Sequence, residues 1–284
     1  MRHSARLQIG PAAFRVGSDW AAPIEALRSL YAGYPDPAGA CDFTVRLEAE
    51  RFWRRWIRPS IAIRGDFTLP DAVPMALAHG LLAAEMGMNL QMALGYRRHL
   101  LLHAASVERG GRALLITGLS GSGKSTLSAL LGERGWRLMG DEFALLDLAD
   151  GTLHPFPRAI SLKNESVGAL ADVADERLGP WLRGTAKGDI RHLRPRPEAI
   201  ARMGETAVPS AILFPRFGRD LPATIRPVGA AEVFVRLTQA STNYVALGEP
   251  AFVALTRLVA TVPAYAIDYP GTQAGLALVG ELAG

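Results

Sequence analysis

In Gly118-Leu119-Ser120-Gly121-Ser122-Gly123-Lys124-Ser125-Thr126, every fixed position of the pattern G-x-x-x-x-G-K-[ST] is met. The apolar run Ala113-Leu114-Leu115-Ile116-Thr117 leads into it, and Leu127-Ser128-Ala129-Leu130-Leu131 follows. That order predicts a strand, a glycine-rich loop and a helix, the opening of an α/β domain. Glycines let backbone N–H groups converge on phosphate oxygens, and the start of the following helix adds the positive end of its dipole. The pattern assigns Gly118, Ser120, Gly121, Ser122, Gly123, Lys124, Ser125 and Thr126 to a nucleoside triphosphate. Lys124 is expected at the β- and γ-phosphates and the Ser125 hydroxyl on Mg²⁺. The competing reading, a Gly/Ser turn before an unrelated lysine, gives no reason for the flanking strand and helix.

Outside this loop the composition sets limits. The chain has 284 residues, enough for two domains of ordinary size. At 49% hydrophobic and 20% charged, it has ample material for a core. A net charge of +4 suits an anionic ligand or an acidic peptide and is too small to imply nucleic acid by itself. Cys41, the single cysteine, excludes an internal disulfide and a cysteine-built metal site, which points to a reducing compartment. Residues 1–13 mix Arg2, His3, Arg6 and Gln8 and lack the apolar core of a signal peptide. The most apolar stretch, residues 74–94, is interrupted by His79, Glu85, Asn89 and Gln91, too polar to span a membrane and suited to a buried helix. The expected location is therefore the cytoplasm, with no membrane partner.

Residues 1–97 predict a small N-terminal α+β domain that recognises the acceptor. Phe43-Thr44-Val45-Arg46-Leu47 and Ser60-Ile61-Ala62-Ile63-Arg64 alternate apolar and polar, the period of half-buried strands. A short helix is expected over residues 23–31, and Pro35, Pro37 and Gly39 mark a loop. Arg51-Phe52-Trp53-Arg54-Arg55-Trp56-Ile57-Arg58 interleaves aromatics with positive charge. It is either a docking strip for nucleic acid or an acidic partner, or an exposed edge whose tryptophans pack inward. A long helix is expected over residues 71–96, with Asp71 as N-cap and Gly95 as stop. The boundary falls near residue 98, so that residues 98–284 form the nucleotide domain. There a strand over residues 100–107 and a Gly110-Gly111 turn lead to the phosphate-loop strand. Arg137-Leu138-Met139-Gly140-Asp141-Glu142 leads into a strand continuing over residues 143–148, closed by the Ala149-Asp150-Gly151 turn. Strands are expected at 208–214 and 265–269, helices at 230–239, 250–262 and the C-terminus. Ser241-Thr242-Asn243-Tyr244 reads as a capping or binding turn.

Phosphoryl transfer asks little covalent chemistry of a protein; it asks for charge neutralisation and an aligned nucleophile. Asp141, on the strand after the loop's helix, is placed to sit beside Mg²⁺ and to accept the proton of a hydroxyl nucleophile, unless it is only a turn acid after Gly140. Glu142 is a further candidate metal ligand, directed to the opposite side of an extended segment. Arg158, Lys163 and Lys187 compete for the transferring phosphate, against a reading of each as plain surface charge. Lys187 lies in Gly184-Thr185-Ala186-Lys187-Gly188-Asp189, a glycine-flanked loop of the kind that closes over substrate. Arg191, His192, Arg194 and Arg196 extend this basic stretch and could receive an acidic peptide.

His103 before the loop, the loop itself, and Arg134-Gly135-Trp136-Arg137-Leu138-Met139-Gly140-Asp141-Glu142 after it resemble the C-terminal domain of bacterial HPr kinase/phosphorylase. More closely, the chain resembles the smaller HPr-kinase-related proteins encoded beside peptide-modification systems, some of which phosphorylate a serine of a precursor peptide. The convincing part covers about residues 98–165. The resemblance implies a P-loop kinase domain akin to the nucleotide domain of phosphoenolpyruvate carboxykinase, using ATP and Mg²⁺. It implies that Asp141 matches the catalytic aspartate, that His103 matches the active-site histidine, and that Ser125 with an acidic residue holds Mg²⁺. Read from the residues alone, His103 is as readily a satisfied core group on an apolar strand. Where that family usually has two aspartates this chain has Asp141-Glu142, and Thr126 stands where it often has glutamate. The expected activity is ATP-dependent phosphorylation of a serine on a small protein or ribosomally made peptide. A small-metabolite kinase and a nucleotide-gated binding module are the alternatives, and homo-oligomerisation is left open.

Overall fold

The strand that leads into the glycine-rich loop, Arg112–Thr117, sits inside a six-stranded mixed sheet, and its neighbours decide what gathers at its end. In the computed structural model, which describes residues 2–170, 173 and 175–283, the sheet order is Thr224–Pro227, Ala264–Tyr269, Val208–Phe217, Arg112–Thr117, Ala104–Arg109, Arg137–Gly140. Val208–Phe217 runs parallel to both Arg112–Thr117 and Ala264–Tyr269. The apolar runs Ala-Leu-Leu-Ile and Ala-Ile-Leu-Phe within these strands are buried throughout, as parallel strands covered on both faces require. Ala104–Arg109 runs antiparallel to both Arg112–Thr117 and Arg137–Gly140, with Ala104 opposite Thr117 and Ser106 opposite Gly140. The latter two strands therefore point the same way, and both end at the edge where Ala104–Arg109 begins. Val233 and Leu237 of the Ala230–Ala240 helix, with Ala254, Leu255 and Leu258 of the Glu249–Thr261 helix, share one core with Leu115, Ile212 and Phe214 of the sheet.

The single strand expected over residues 100–107 is corrected. Leu100–Leu102 pairs with Ala144–Leu146 in a separate three-stranded sheet completed by Leu153–His154, whereas Ala104–Arg109 stays in the large sheet. His103 is the break, and its N–H donates to the Ala240 carbonyl at 2.7 Å. The same division recurs downstream. Arg137–Gly140 and Ala144–Leu146 belong to different sheets, with Asp141, Glu142 and Phe143 in the bend between them, so the acidic pair is not inside a continuous strand. An apolar run signals burial; it does not signal which sheet receives it.

Residues 97–160, 165–173 and 195–284 form the unit just described; residues 1–96, 161–164 and 174–194 form another. The expected division near residue 98 did not anticipate that the chain returns to the N-terminal unit twice. That unit has a five-stranded sheet ordered His3–Ile9, Ala12–Ser18, Phe43–Ala49, Ser60–Gly65, Met75–Ala76. The Gly80–Gly95 helix packs on it, and Gly87 permits the close approach: a Cβ there would lie 2.4 Å from Val45 Cγ1. The helix starts at Gly80 and not at Asp71, because Pro74 disfavours helix for the residue before it and Met75 is taken by the sheet, opposite Ile61. Its end at Gly95 is as expected. A second sheet is ordered Ile160–Lys163, Gly188–Leu193, Leu182–Thr185. The Arg/aromatic strip is a short 3-10 turn, Phe52–Arg55, and Phe52 and Trp56 are exposed, so these rings do not pack inward. Among the described residues no helix is long and apolar enough to cross a membrane.

Candidate active site

The glycine-rich loop is held in a conformation that its glycines permit. Gly118, Gly121 and Gly123 have φ of +155°, +84° and +96°. Gly123 precedes the Lys124–Glu133 helix, and a Cβ there would lie 2.4 Å from the Tyr269 hydroxyl, so the position is closed to other residues on two counts. Lys124 folds back over the loop, its ammonium donating to the Gly118 carbonyl at 2.7 Å and the Leu119 carbonyl at 3.0 Å. The Phe217 N–H, at the end of the neighbouring parallel strand, donates to the Ser122 carbonyl at 3.3 Å. This loop lies at the carboxyl ends of parallel strands, where open α/β sheets form their ligand crevice. Thr126 turns its hydroxyl to Ser166 Oγ at 2.9 Å.

Strand direction brings the acidic group to the same edge. Asp141 directly follows Arg137–Gly140, which ends level with the start of the loop because Ala104–Arg109 between them runs the other way. Its carboxylate accepts from the hydroxyls of Ser125 and Ser128, the latter at 3.0 Å. Asp141 is only 6% exposed. Burial, with the neighbouring Glu142 charge second, pushes its carboxyl up from the usual 3.8 to about 6, against the opposing pull of the two serines and Lys124. It therefore stays mostly ionised at neutral pH yet holds a proton more readily than an ordinary aspartate. His103 and Glu142 form the outer part of this edge, with Nδ1 3.6 Å from Oε1 and both side chains more than 40% exposed. The two adjacent acids thus diverge, Asp141 toward the loop's helix and Glu142 toward His103.

The other candidates separate. Arg158 is buried at 3% exposure, which removes the surface-charge reading; its segment runs beside the Arg137–Gly140 strand, where Phe156 N–H donates to the Met139 carbonyl at 2.5 Å. Lys163 and Lys187 belong to the unit that contains residues 1–96. Lys187 is exposed on the turn between Leu182–Thr185 and Gly188–Leu193, its N–H donating to Thr185 Oγ1 at 3.2 Å. The basic stretch around it is engaged in structure: Arg191 donates to the Gly179 carbonyl and pairs with Asp175, Arg194 donates to the Glu176 carbonyl, and His192 is buried.

Sequence reasoning passed over Ser128, although Ser125 and Ser128 are three apart on one helix, the spacing that puts both on one face. It also passed over Tyr269, whose ring packs on Phe217 at a centroid distance of 5.9 Å and whose hydroxyl is pushed up to about 12 by burial. Nothing near Tyr269 in sequence marks it. Asn243, in the turn read as capping or binding, is buried and clamps a strand start, accepting from Leu101 N–H and donating to the His99 carbonyl, each at 2.9 Å.

No protein-family model matches the chain, and no curated protein matches it. Among solved structures it is similar to one titled "Structure of the Hpr(Ser) kinase/phosphatase from Coxiella burnetii", at 15% identity and a TM-score of 0.29, covering 64% of this chain and 93% of that one. At that identity and TM-score the likeness is distant.

Proposed function

We propose that the chain is an ATP- and Mg²⁺-dependent kinase that transfers the γ-phosphoryl group to a hydroxyl, that of a serine on a small protein or ribosomally made peptide. The observation that carries it is the convergence of Lys124, Ser125 and buried Asp141 at one sheet edge. The donor set fits both cofactors: a lysine and a glycine-rich turn at a helix start suit a polyphosphate, and a serine hydroxyl beside a carboxylate suits a hard cation. When bound, MgATP supplies the phosphoryl group and neutralises charge between its phosphates. Lys124 then exchanges the Gly118 and Leu119 carbonyls for phosphate oxygens, and Ser125 with Asp141 offers oxygen ligands to the cation. Asp141 positions the acceptor hydroxyl and takes its proton. His103 and Glu142, on the exposed side, border the path by which an acceptor arrives. The acceptor class rests on the sequence resemblance and on a net charge of +4.

The test is labelled MgATP with serine-containing acidic peptides, followed by acid-stable phosphoester. Asp141→Asn keeps shape and hydrogen bonding but not basicity, and transfer is expected to fall ~10²–10⁴-fold while MgATP still binds, more weakly for the lost cation ligand. Transfer at the parent rate in Asp141→Asn removes Asp141 as the base. Binding of ATP with no transfer to any peptide or small-molecule hydroxyl turns the chain into a nucleotide-gated binding module.

A further inference from the structure

In the small sheet of the nucleotide-loop unit, three polar side chains meet on one face. Leu100 is opposite Leu146, so His99 and Asp147 occupy the next opposed pair. His154 is opposite Leu145, two residues before Asp147, which places it diagonally across on the same face. Both imidazoles present Nε2 to a single carboxylate oxygen: His154 Nε2 lies 3.3 Å and His99 Nε2 3.7 Å from Asp147 Oδ2. One ligand atom from each residue lies within 4.8 Å of the others. The two rings are 4.2 Å apart between centroids.

We propose that His99, Asp147 and His154 bind one divalent transition-metal ion of the zinc class. Bonds of about 2.0–2.2 Å at tetrahedral angles separate neighbouring ligand atoms by roughly 3.3–3.6 Å, which the two nitrogen–oxygen distances bracket. An N–H···O hydrogen bond would draw the same atoms to about 2.7–3.2 Å. Two imidazoles with one carboxylate select zinc, cobalt or nickel over magnesium or calcium, which want an oxygen shell. The orienting shell is in place. Asp147 Oδ1 accepts from the N–H groups of Ala149 at 2.8 Å and Asp150 at 3.1 Å, which fixes Oδ2 toward the histidines. Asn243 fixes the His99 backbone through its carbonyl. His99 is buried while Asp147 and His154 are 24% and 29% exposed at the side chain, leaving room for a water as fourth ligand. An ion there would pin together all three strands of the sheet at one end. None of the three ligands belongs to the phosphate loop or to the Asp141 edge, so this proposal stands apart from the kinase reading.

The experiment is Zn²⁺ titration of the full chain, stripped with chelator and free of nucleotide, read by calorimetry and by metal content after gel filtration, with Mg²⁺ as the comparison ion. One zinc per chain is expected, with raised thermal stability and no comparable response to Mg²⁺. His154→Gln and Asp147→Asn, at partly exposed positions, are each expected to weaken zinc about tenfold or more while keeping the parent circular dichroism spectrum. Absence of stoichiometric zinc in the parent chain overturns the site. Equal zinc affinity in the parent and both variants also overturns it, since the ion would then be held elsewhere.

Discussion

The strands Ala104–Arg109 and Arg137–Gly140 carry a buried carboxylate at each end, and the two are treated oppositely. At one end Glu108 faces Arg137, Oε2 to Nε at 2.5 Å, with both side chains 2% exposed. Arg137 also donates to the carbonyls of Arg202 and Glu205, and Glu108 accepts from the Gly111 N–H. Burial alone would raise the Glu108 carboxyl, but the Arg137 and Gly111 hydrogen bonds and the charges of Arg137 and Arg202 outweigh it and hold it below the usual range. At the other end Asp141 has two serine hydroxyls and a lysine charge, too little to offset its burial, so its carboxyl rises. One end is satisfied and stabilises the fold. The other is left wanting a cation or a proton, which is the imbalance that the proposed function uses.

The comparison can be broken by mutation at either end. The largest effect on stability is expected from Glu108→Gln, which leaves Arg137 buried without its counter-charge and should cost about 3–5 kcal/mol in denaturant unfolding. Because the Glu108 carboxyl is depressed, its contribution is present above the ordinary glutamate value of 4.5 and is lost as pH falls below it. A loss under 1 kcal/mol at pH 7 would mean the pair is no more than a surface ion pair.

Asp141→Asn should act with the opposite sign. The raised carboxyl makes the folded state bind more protons than the unfolded one between pH 3.8 and about 6, so stability falls as pH rises through that window. The asparagine variant is then more stable than the parent at pH 7 without nucleotide, by at most about 3 kcal/mol, and equal to it below pH 3.8. A destabilised variant at pH 7 would place Asp141 with Glu108 as a structural carboxylate. Gly123→Ala should cost about 1–3 kcal/mol and weaken MgATP binding, since the added methyl meets the Tyr269 hydroxyl; calorimetry at unchanged affinity would show that the loop relaxes freely. The smallest effects belong to the exposed pair: His103→Ala should change stability by under about 1 kcal/mol. Glu142→Gln removes the second cause of the Asp141 displacement and should lower the Asp141 carboxyl in the nucleotide-free chain, narrowing the pH window over which stability falls. An unchanged window would mean that burial alone raises Asp141.

Much of the loop was legible because its chemistry is contiguous. Gly118 to Thr126 carries its own turn geometry, and the apolar runs on either side could be read as the strand and helix that they are. Asp141 was legible as a candidate, but its partner Ser128 and its burial were not, since both depend on how the Arg137–Gly140 strand docks. The strand expected over residues 143–148 forms, as Ala144–Leu146, but the one expected over 100–107 breaks at His103, because an apolar run reports burial whereas the change of sheet is decided by partners distant in sequence. The helix start missed at Asp71 has a local cause, Pro74, and was open to a closer reading.

The sequence by itself determined a glycine-rich loop between a buried strand and a helix, because that motif needs only neighbours within about ten residues to take shape. Tertiary structure alone decided which carboxylate became the compensated one. Glu108 and Arg137 are 29 residues apart and meet through the register of two antiparallel strands. The same holds for His99, Asp147 and His154, which share a face only because the small sheet pairs them. Register is set by the burial of whole strands, so no window of sequence short enough to be a motif contains it.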